Sequence, residues 1–288
     1  MAADSISELL IADTAYPEPL REIHNPPQRL FLRGRLPEGI FFAVVGSRAP
    51  SPYGKQITPK LVEPLAAAGL VIVSGLAYGI DALAHEAALA QGGYTVAVLG
   101  TGVDDHALYP RTHRKLAQRI VAAGGAVISE YPPGTPGQPQ HFPARNRIIA
   151  GLSRGVLVVE AREKSGALIT ADLALRENRD VFAVPGPITA TTSAGTNHLI
   201  QQGAKLITQT EDILDEYGLV PQQIPRAVPP TLSREEQRIL ALLAEETLPV
   251  DMLAETLHCT AAETAVRLTR LELQGLVRNF GGGRYGRA

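Results

Sequence analysis

The stretch FFAVVGSR at residues 41–48 is the clearest signal of the fold class, because an unbroken apolar run ends in a turn of small and basic residues. Similar runs recur at residues 70–73, 94–99, 126–129, 156–159, 181–184 and 204–207. Most do not alternate apolar with polar side chains, which is typical of strands covered on both faces. Helix-length stretches lie between them at residues 81–91, 113–123, 166–177 and 194–202. This alternation predicts an α/β fold: an extended Rossmann-like, doubly wound, mainly parallel sheet.

One further stretch between predicted strands is less regular. Thr58 could cap a helix over residues 58–68, with Pro59 at its first position. Pro64 would then lie inside this helix, so we expect a kink or an early end there.

Proline-rich segments divide the chain into four parts. Residues 1–40 contain five prolines and are predicted to be an irregular lead-in segment that packs on the next domain. Residues 41–218 form that domain, which is the predicted Rossmann-like one. Residues 219–231 hold four prolines without a helical period and are predicted to be a linker. Residues 232–288 form the last predicted domain.

The last domain has the order of a small winged helix. Ser233 and Glu236 have the spacing of a capping box. Two further helices are predicted near residues 249–257 and 260–274, where Val266, Leu268, Leu271 and Leu273 supply an apolar face. Short strands around the glycine turn at 281–283 close the pattern, so we expect a winged-helix-like domain.

Composition excludes several classes of protein. The 288 residues include 27 Lys and Arg against 29 Asp and Glu, a net charge of −2. A chain that is 45% hydrophobic and 19% charged is neither disordered nor fibrous. No apolar run approaches the about 20 residues of a membrane helix, and no signal peptide is visible. The single cysteine, Cys259, excludes an internal disulfide and favours a reducing, cytoplasmic location.

Glycine-rich turns follow the first three predicted strands. Residues 46–48 (GSR) and 74–81 (SGLAYGID) could expose backbone N–H groups to an anion, and Asp81 could cap the following helix. Residues 100–102 (GTG) resemble a dinucleotide fingerprint, but Asp105 replaces its third glycine. No segment matches a P-loop, so no cofactor is expected. The alternative is that these glycines serve only tight turns.

HFPARNRIIA at residues 141–150 is the densest motif. It combines arginines, an asparagine and an aromatic side chain at a predicted helix start. Arginine with an aromatic ring is a combination that can hold a phosphate and stack a base. The alternative is a solvated helix start with Phe142 in the core.

Signals for catalysis are weak. GLSRG at residues 151–155 matches a nucleophile-elbow pattern around Ser153, but a helix precedes it and a strand follows, which is the wrong order. Glu160 and Glu130 could form an acid/base pair, although a capping role is favoured. His85 is expected to be structural, and the histidines show no metal-ligand spacing.

Taken together, seven motifs in one order resemble the bacterial DNA-processing protein A (DprA, or Smf) family over residues 16–217. They are VVGSR (44–48), SGLAYGIDALAH (74–85), AVLGTGVD (97–104), SEYPPG (129–134), FPARNRIIAGLS (142–153), VVEAREKSGALITA (158–171) and VFAVPG (181–186). The resemblance implies a cytoplasmic, dimeric protein that binds single-stranded DNA. It further implies that the protein protects incoming strands during natural transformation and helps load the RecA recombinase.

The resemblance also implies which residues contact DNA. The implied contacts are Gly46, Ser47, Arg48, Ser74, Gly75, Gly79, Phe142, Arg145, Asn146, Arg147, Ser165, Gly166 and Thr170. Two features depart from the family. The 40 residues before Phe41 are too few for the helical SAM-like domain that many members carry. Residues 138–141 lack a lysine or arginine, so basic help is expected from Arg111, Arg114 and Lys115.

Two other functions compete with this prediction. Nucleotide hydrolases with a similar Rossmann-like core cleave a base from a nucleoside monophosphate, but their P-G-G-x-G-T-x-x-E run is absent here. The winged helix could instead be the main DNA reader, through Arg267 and Arg270 of its helix at 260–274 and Arg278, Arg284 and Arg287 of its wing. Candidate dimer contacts are Leu199, Ile200, Leu206 and Ile207.

The near-neutral net charge of the whole chain conceals two basic regions. Residues 106–154 hold seven basic residues and one acid, or +6, and residues 264–288 hold five arginines and one acid, or +4. This distribution favours a confined site that binds a few phosphates of one strand, with little long-range attraction for duplex DNA.

Overall fold

A computed structural model describes residues 5–219, 232–244, 246–273 and 276–287. The chain divides into two compact units between residues 223 and 224. The predicted linker at 219–231 lies outside the described residues, except for Leu219. Among the described helices, none is both long and apolar enough to cross a membrane.

The first unit is built on a nine-stranded sheet. Its strands are β1 Ile6–Leu10, β2 Arg29–Gly34, β3 Phe41–Val45, β4 Val71–Ser74, β5 Thr95–Leu99, β6 Ala126–Ser129, β7 Gly155–Val158, β8 Asp180–Ala183 and β9 Lys205–Leu206. Their order is β1-β2-β6-β5-β4-β3-β7-β8-β9, and every pairing from β6 to β9 is parallel. The predicted mainly parallel, doubly wound sheet is therefore confirmed.

Helices cover both faces of this sheet. They are α1 Glu18–Arg21, α2 Pro52–Ala67, α3 Ile80–Ala90, α4 Arg114–Ala122, α5 His141–Leu152, α6 Gly166–Arg176, α7 Ala194–Gln201 and α8 Glu211–Leu214. In β3, Ala43 and Val45 pack in the core with residues of α5 and α6, whereas Phe42 and Val44 pack with residues of α2 and α3. Successive strand residues point to opposite faces, which is why FFAVV needs no polar position.

Residues 1–40 are more regular than the sequence suggested. β1 pairs with β2, and β2 pairs antiparallel with β6, so this segment extends the sheet at one edge. Leu30 is fully buried there and anchors the strand in the core. The prediction of an irregular segment was wrong because arginines flank this short apolar run, and the paired β1 is mostly exposed.

Helix α2 also begins earlier than predicted. Ser51 is its N-cap, and the Ser51 hydroxyl accepts a hydrogen bond from the Gly54 N–H at 3.2 Å. Thr58 lies inside the helix and donates to the Gly54 carbonyl at 2.7 Å. Pro59 and Pro64 both lie within α2, which continues to Ala67. The Ser51-Pro52 pair was the missed start signal, since proline suits the first helical position.

The second unit has the predicted winged-helix order. Its elements are α9 Arg234–Leu242, β10 Leu248–Pro249, α10 Val250–Leu257, α11 Ala261–Leu273, β11 Val277–Gly281 and β12 Arg284–Arg287. Ser233 and Glu236 form both hydrogen bonds of the capping box, at 3.2 and 2.7 Å. Leu268 and Leu271 are buried in its core, but Val266 is 71% exposed and does not belong to the apolar face.

Candidate functional site

A pocket of about 890 Å³ opens at the carboxyl edge of the sheet. The chain builds the sheet in one direction from β3 to β6 and then returns to place β7 on the other side of β3. In open α/β sheets, ligands bind where the strand order reverses in this way. The loops after β3, β5 and β6 and the first turns of α5 and α6 line the pocket.

A row of one cation and two aromatic rings crosses the pocket. The Arg48 guanidinium lies 5.9 Å from the centroid of the Phe142 ring, and the Tyr109 ring lies 5.8 Å from Phe142. Arg48 is exposed and Tyr109 is half exposed, so both can meet a ligand. Of the three residues from which basic help was predicted, Arg111 lines the pocket, whereas Arg114 and Lys115 do not.

The Phe142 ring is held in place by glycines. A Cβ on Gly100 would lie 3.1 Å from the Phe142 ring, and a Cβ on Gly137 would lie 3.2 Å from it. The neighbouring His141 ring stacks on Tyr131 at 4.0 Å, and its Nδ1 lies 3.2 Å from the Gly100 carbonyl oxygen. The GTG turn therefore serves side-chain packing here.

Eight of the thirteen predicted contact residues line the pocket. They are Gly46, Arg48, Phe142, Arg145, Asn146, Ser165, Gly166 and Thr170. The other five are Ser47, Ser74, Gly75, Gly79 and Arg147.

Arg145 is buried behind the pocket wall, with an exposed fraction of 4%. Its guanidinium donates to the Gly75 carbonyl at 2.9 Å and to the Val98 carbonyl. Burial lowers the pKa of Arg145 to about 10, although the nearby Asp81 carboxylate opposes that shift. Burial likewise raises the pKa of Asp81, against the field of Arg145. Arg145 and Asp81 are thus two buried, opposite charges in the wall, and the field of each favours the charged form of the other.

Gly75 separates these two charges. A Cβ at this position would lie 2.5 Å from Arg145 Nη2 and 2.7 Å from Asp81 Oδ2. The Gly75 N–H donates to Asp81 Oδ2 at 3.0 Å, and the Ala77 N–H donates to the same atom at 3.4 Å. Asp81 therefore holds the loop before α3, and the prediction that it caps that helix was wrong.

Arg147 points away from the pocket. Its guanidinium donates to Glu130 Oε1 at 2.6 Å and to the Asn25 carbonyl at 2.9 Å. Positions two apart on a helix differ by about 200° in direction, so Arg145 and Arg147 cannot both face one ligand. The prediction that Arg147 forms part of the pocket is wrong, and the residue instead ties residues 1–40 to α5.

Asn146 and the start of α6 form the opposite rim. The Asn146 amide donates to the Gly166 carbonyl at 3.3 Å, and Ser165 caps α6 by accepting from the Ala167 N–H at 3.3 Å. Thr170 is buried, and its hydroxyl donates to the same Gly166 carbonyl at 3.5 Å. Nothing lies within 4 Å of a Cβ built on Gly166, so the backbone there is open to a ligand.

The remaining predicted contacts support the loops. The Ser74 hydroxyl is buried and donates to the Val44 carbonyl at 2.7 Å. Gly79 has a φ of +80°, and a Cβ there would lie 2.3 Å from the Ser47 carbonyl oxygen, so only glycine fits. That carbonyl accepts the Ile80 N–H at 3.1 Å. These residues pack the loops after β3 and β4 together, which is a supporting role.

Asp104 joins two walls of the pocket, and it was not among the residues predicted from the sequence. Its carboxylate accepts from the Gly134 N–H at 2.5 Å and from the Ala107 N–H at 3.0 Å. The loop after β5, which carries Tyr109, is thereby tied to the loop after β6. An aspartate three residues before Ala107 has the spacing of a local side-chain turn, but the bond to Gly134 has no sequence signal.

The candidate catalytic residues have structural partners or are inaccessible. Ser153 is fully buried at the end of α5, which agrees with the rejection of a nucleophile elbow at this position. Glu160 is buried, and it accepts hydrogen bonds from the Ser51 N–H at 2.9 Å and from the Ser51 hydroxyl. Glu130 pairs with Arg147. His85 is buried beside Thr95, and burial lowers its pKa to about 3, which fits its predicted structural role.

No metal cluster is present among the described residues: no three His, Cys, Asp or Glu side chains are placed to hold an ion.

The predicted dimer contacts separate into two groups. Leu199 and Ile207 are buried in the core, so they cannot meet a partner, whereas Leu206 is 45% exposed and Ile200 is half-buried.

The fold and the site define a Rossmann-like protein with a cationic, aromatic pocket and a second, winged-helix unit. The chain belongs to the DNA recombination-mediator protein A (DprA/Smf) family, whose sequence model matches residues 7–218. The model of the DprA winged helix domain matches residues 223–283. The resemblance seen in the sequence motifs is thus confirmed, and a general role in DNA processing follows from it.

Several relatives cover most of this chain. Protein Smf of Escherichia coli (strain K12) is 42% identical over 286 residues, which are 96% of this chain and 76% of that protein. DNA processing protein DprA of Streptococcus pneumoniae (strain ATCC BAA-255 / R6) is 51% identical over 209 residues, or 72% of this chain and 73% of that protein.

Two solved structures share the fold of the first unit. DNA processing protein A from Streptococcus pneumoniae superposes with a TM-score of 0.67 at 47% identity, covering 75% of each chain. A structure that concerns the single-stranded DNA binding mode of DNA processing protein A from Helicobacter pylori gives a TM-score of 0.65 at 32% identity. It covers 75% of this chain and 97% of that chain.

Proposed function

We propose that the pocket at the carboxyl edge binds single-stranded DNA. The observation that carries this proposal is the row of Arg48, Phe142 and Tyr109 across the pocket. An unstacked base can lie on an aromatic face, while a guanidinium binds the adjoining phosphate. A duplex keeps its bases stacked inside, so it cannot use these rings. The Helicobacter pylori relative, whose structure concerns single-stranded DNA binding, supports the same ligand.

The charges of the pocket favour a small number of phosphate contacts. Arg48 and Arg111 line the pocket, and neither forms an ion pair among those seen in the described residues. Arg145 is matched by Asp81 within the wall. The open backbone at Gly166, at the N-terminus of α6, offers a further position for a phosphate.

We further propose that binding needs no catalytic step. Glu160 is held by Ser51 and Glu130 by Arg147, so neither carboxylate is poised toward the pocket. Incubation with the common nucleoside monophosphates tests the hydrolase alternative. We expect no free base, and release that Glu160→Gln abolishes would show that the protein is an enzyme.

The cellular role that we propose follows the family. The protein would protect incoming single strands during natural transformation and help load RecA onto them, acting in the cytoplasm as a homodimer without a cofactor. Two pockets in a dimer would bind one long strand more tightly than either pocket alone. The membership of both units in the family supports this proposal.

The test of the binding function is a titration of a fluorescent oligothymidylate and of a duplex of equal length, each at two salt concentrations. We expect the single strand to bind more tightly at both concentrations. Its affinity should fall by about 0.7 log unit per log unit of salt for each phosphate bound. Equal affinity for the duplex would contradict a pocket that reads unstacked bases.

A further inference from the structure

Three basic side chains form a line on the surface beside the pocket. Arg111 lies in the helical turn that leads into α4, and Lys115 and Arg119 follow at intervals of four residues. All three are exposed, whereas the other side of α4 is buried in the core. In an α-helix residues four apart share one face, so Lys115 and Arg119 lie on the same side of α4, and Arg111 precedes them in a short 3₁₀ turn. We call these three exposed cations the basic stripe.

The stripe is not neutralised by acids. None of the ion pairs seen among the described residues includes Arg111, Lys115 or Arg119. The neighbouring acid is Asp105, and it is already engaged: its carboxylate lies 2.6 Å from Arg33 and accepts from Gln118 at 3.0 Å. The charge of the stripe is therefore available to a ligand.

The position of Arg114 and Lys115 at the start of α4 does not favour helix stability, whereas Arg119 lies in the last turn, where a cation is favourable. The first turn of α4 contains Arg114 and Lys115 and no acidic residue. The N-terminal end of a helix carries partial positive charge, so cations there are unfavourable and anions are favourable. Helix stability alone does not account for the cations at the start of α4. A phosphate bound there would be attracted both by these cations and by the helix N-terminus, so the net interaction would become favourable.

The stripe is continuous with the pocket. Arg111 lines the pocket itself, and α4 follows the loop that also carries Tyr109. Each interval of four residues advances about 6 Å along a helix axis, so Lys115 and Arg119 extend the cationic surface by about two such steps. A polyanion that fills the pocket and leaves past Arg111 would meet these two side chains next.

We propose that Lys115 and Arg119 form a phosphate track along α4 that binds the single strand where it leaves the pocket. This inference rests on the proposed single-strand binding in the pocket. The track contacts only phosphates, because no aromatic side chain lies in α4, so it adds affinity without sequence preference. It acts only on strands longer than the pocket can hold.

The test uses the full-length chain with the double substitution Lys115→Gln and Arg119→Gln. Glutamine keeps helix propensity and side-chain length while it removes the charge. Oligothymidylates of about 4 and about 16 nucleotides, which span common single-strand site sizes, serve as probes. The matched control is Lys55→Gln with Lys60→Gln, which removes two exposed charges of α2 that form no ion pair among the described residues.

We expect the double variant to bind the longer strand several-fold more weakly, with a salt slope shallower by about 1.4, or about 0.7 for each lost phosphate contact. Binding of the shorter strand should not change, and the control should match the parent at both lengths. Equal losses at both lengths, no loss at either, or the same loss in the control would overturn the track. If the parent itself binds neither strand, the proposed pocket function fails instead.

Discussion

Helices α4 and α11 both carry basic side chains, but within the described residues Arg267 and Arg270 of α11 have side-chain partners, whereas Lys115 and Arg119 of α4 form no ion pair. In α11, the Arg267 guanidinium donates to the Cys259 sulfur at 3.0 Å, and Arg270 Nε lies 3.6 Å from Glu236 Oε1. In and before α4, Arg111, Lys115 and Arg119 have no ion pair within the described chain. A charge count along the sequence gives +6 for residues 106–154, which include α4, and +4 for residues 264–288, which include most of α11. The comparison teaches that local partners, and not counts, decide which positive charge can meet DNA.

The same contrast exists inside the pocket, between buried Arg145 and exposed Arg48, and it yields the largest expected effect. Arg145→Ala removes the cation whose field favours ionised Asp81, and it leaves the Gly75 and Val98 carbonyls without their donor. Each buried carbonyl that loses its donor costs about 1–3 kcal/mol of unfolding free energy. The measurement is urea-induced unfolding, in which we expect the transition midpoint of the variant at a lower urea concentration than that of the parent.

Arg48→Ala serves as the control for stability, because exposed substitutions usually change stability by less than about 0.5 kcal/mol. Equal stability of the two variants would contradict the assignment of Arg145 to the wall. It would instead favour a direct contact between Arg145 and DNA, as the resemblance to the family implied.

Arg48→Ala should have the next largest effect, which we expect on single-strand binding and not on stability. The side chain lies against Phe142 at the pocket mouth, and hydrogen bonds to charged groups contribute about 1.5–3 kcal/mol. We expect single-strand affinity to fall accordingly, with a shallower salt slope, in a fluorescence titration.

Arg154→Ala is the matched control for this effect. Arg154 is also exposed and also lies over an aromatic ring, 4.6 Å from the centroid of Tyr217, but it precedes β7 at the opposite edge of the sheet. A similar loss of affinity in this variant would show that Arg48 acts only through overall charge.

Asp104→Asn should have a smaller effect on binding. Partial burial raises the pKa of Asp104, but hydrogen bonds from the backbone of Gly134 and Ala107 outweigh burial, so its pKa lies below the ordinary 3.8. The ionised carboxylate therefore stabilises the loops above pH 3.8, and this contribution is lost as the pH falls through the lower, folded-state pKa. Asparagine cannot accept both bonds, so we expect a loss of about 1 kcal/mol in single-strand binding at neutral pH.

The pH profile separates this role from a general loss of packing. Unfolding free energy of the parent should decline more steeply below pH 3.8 than that of Asp104→Asn, which has no charge to lose. Parallel profiles for the two proteins would show that Asp104 does not hold the loops through its charge.

The double variant Arg267→Gln and Arg270→Gln should have the smallest effect. Both arginines are engaged within the winged-helix unit, so single-strand affinity of the full-length chain should change by less than about twofold, within RT ln 2 of about 0.4 kcal/mol. A loss of single-strand affinity as large as that of the α4 double variant would show that the arginines of α11 also bind DNA. It would favour the winged helix as a main DNA reader.

Much of the fold was predictable because its signals are local. The run FFAVV was placed at the bounds that β3 has in the structure, and the helices at 81–91 and 166–177 differ from α3 and α6 by one residue at most. Strand β2 was missed because its apolar core is short and flanked by arginines. The capping box at Ser233 was predicted because both of its partners lie within three residues.

The candidate site was predictable only in part. Phe142 and Arg48 were identified, yet their approach to Tyr109 depends on loops that follow three different strands. Arg145 and Arg147 could not be told apart from their sequence, because their partners Gly75 and Asn25 lie 70 and 122 residues away. Asp104 was missed for the same reason, since Gly134 is 30 residues further along the chain.

Residue order alone was enough to specify the parallel sheet, the glycine turns at its carboxyl edge and the winged-helix order, because periodicity, caps and turns act between near neighbours. Tertiary packing decided which arginines are free, which carboxylates are engaged and where the pocket opens. The physical reason is that burial and the distance to an opposite charge set the availability of a charged side chain, and both are created only when distant segments meet.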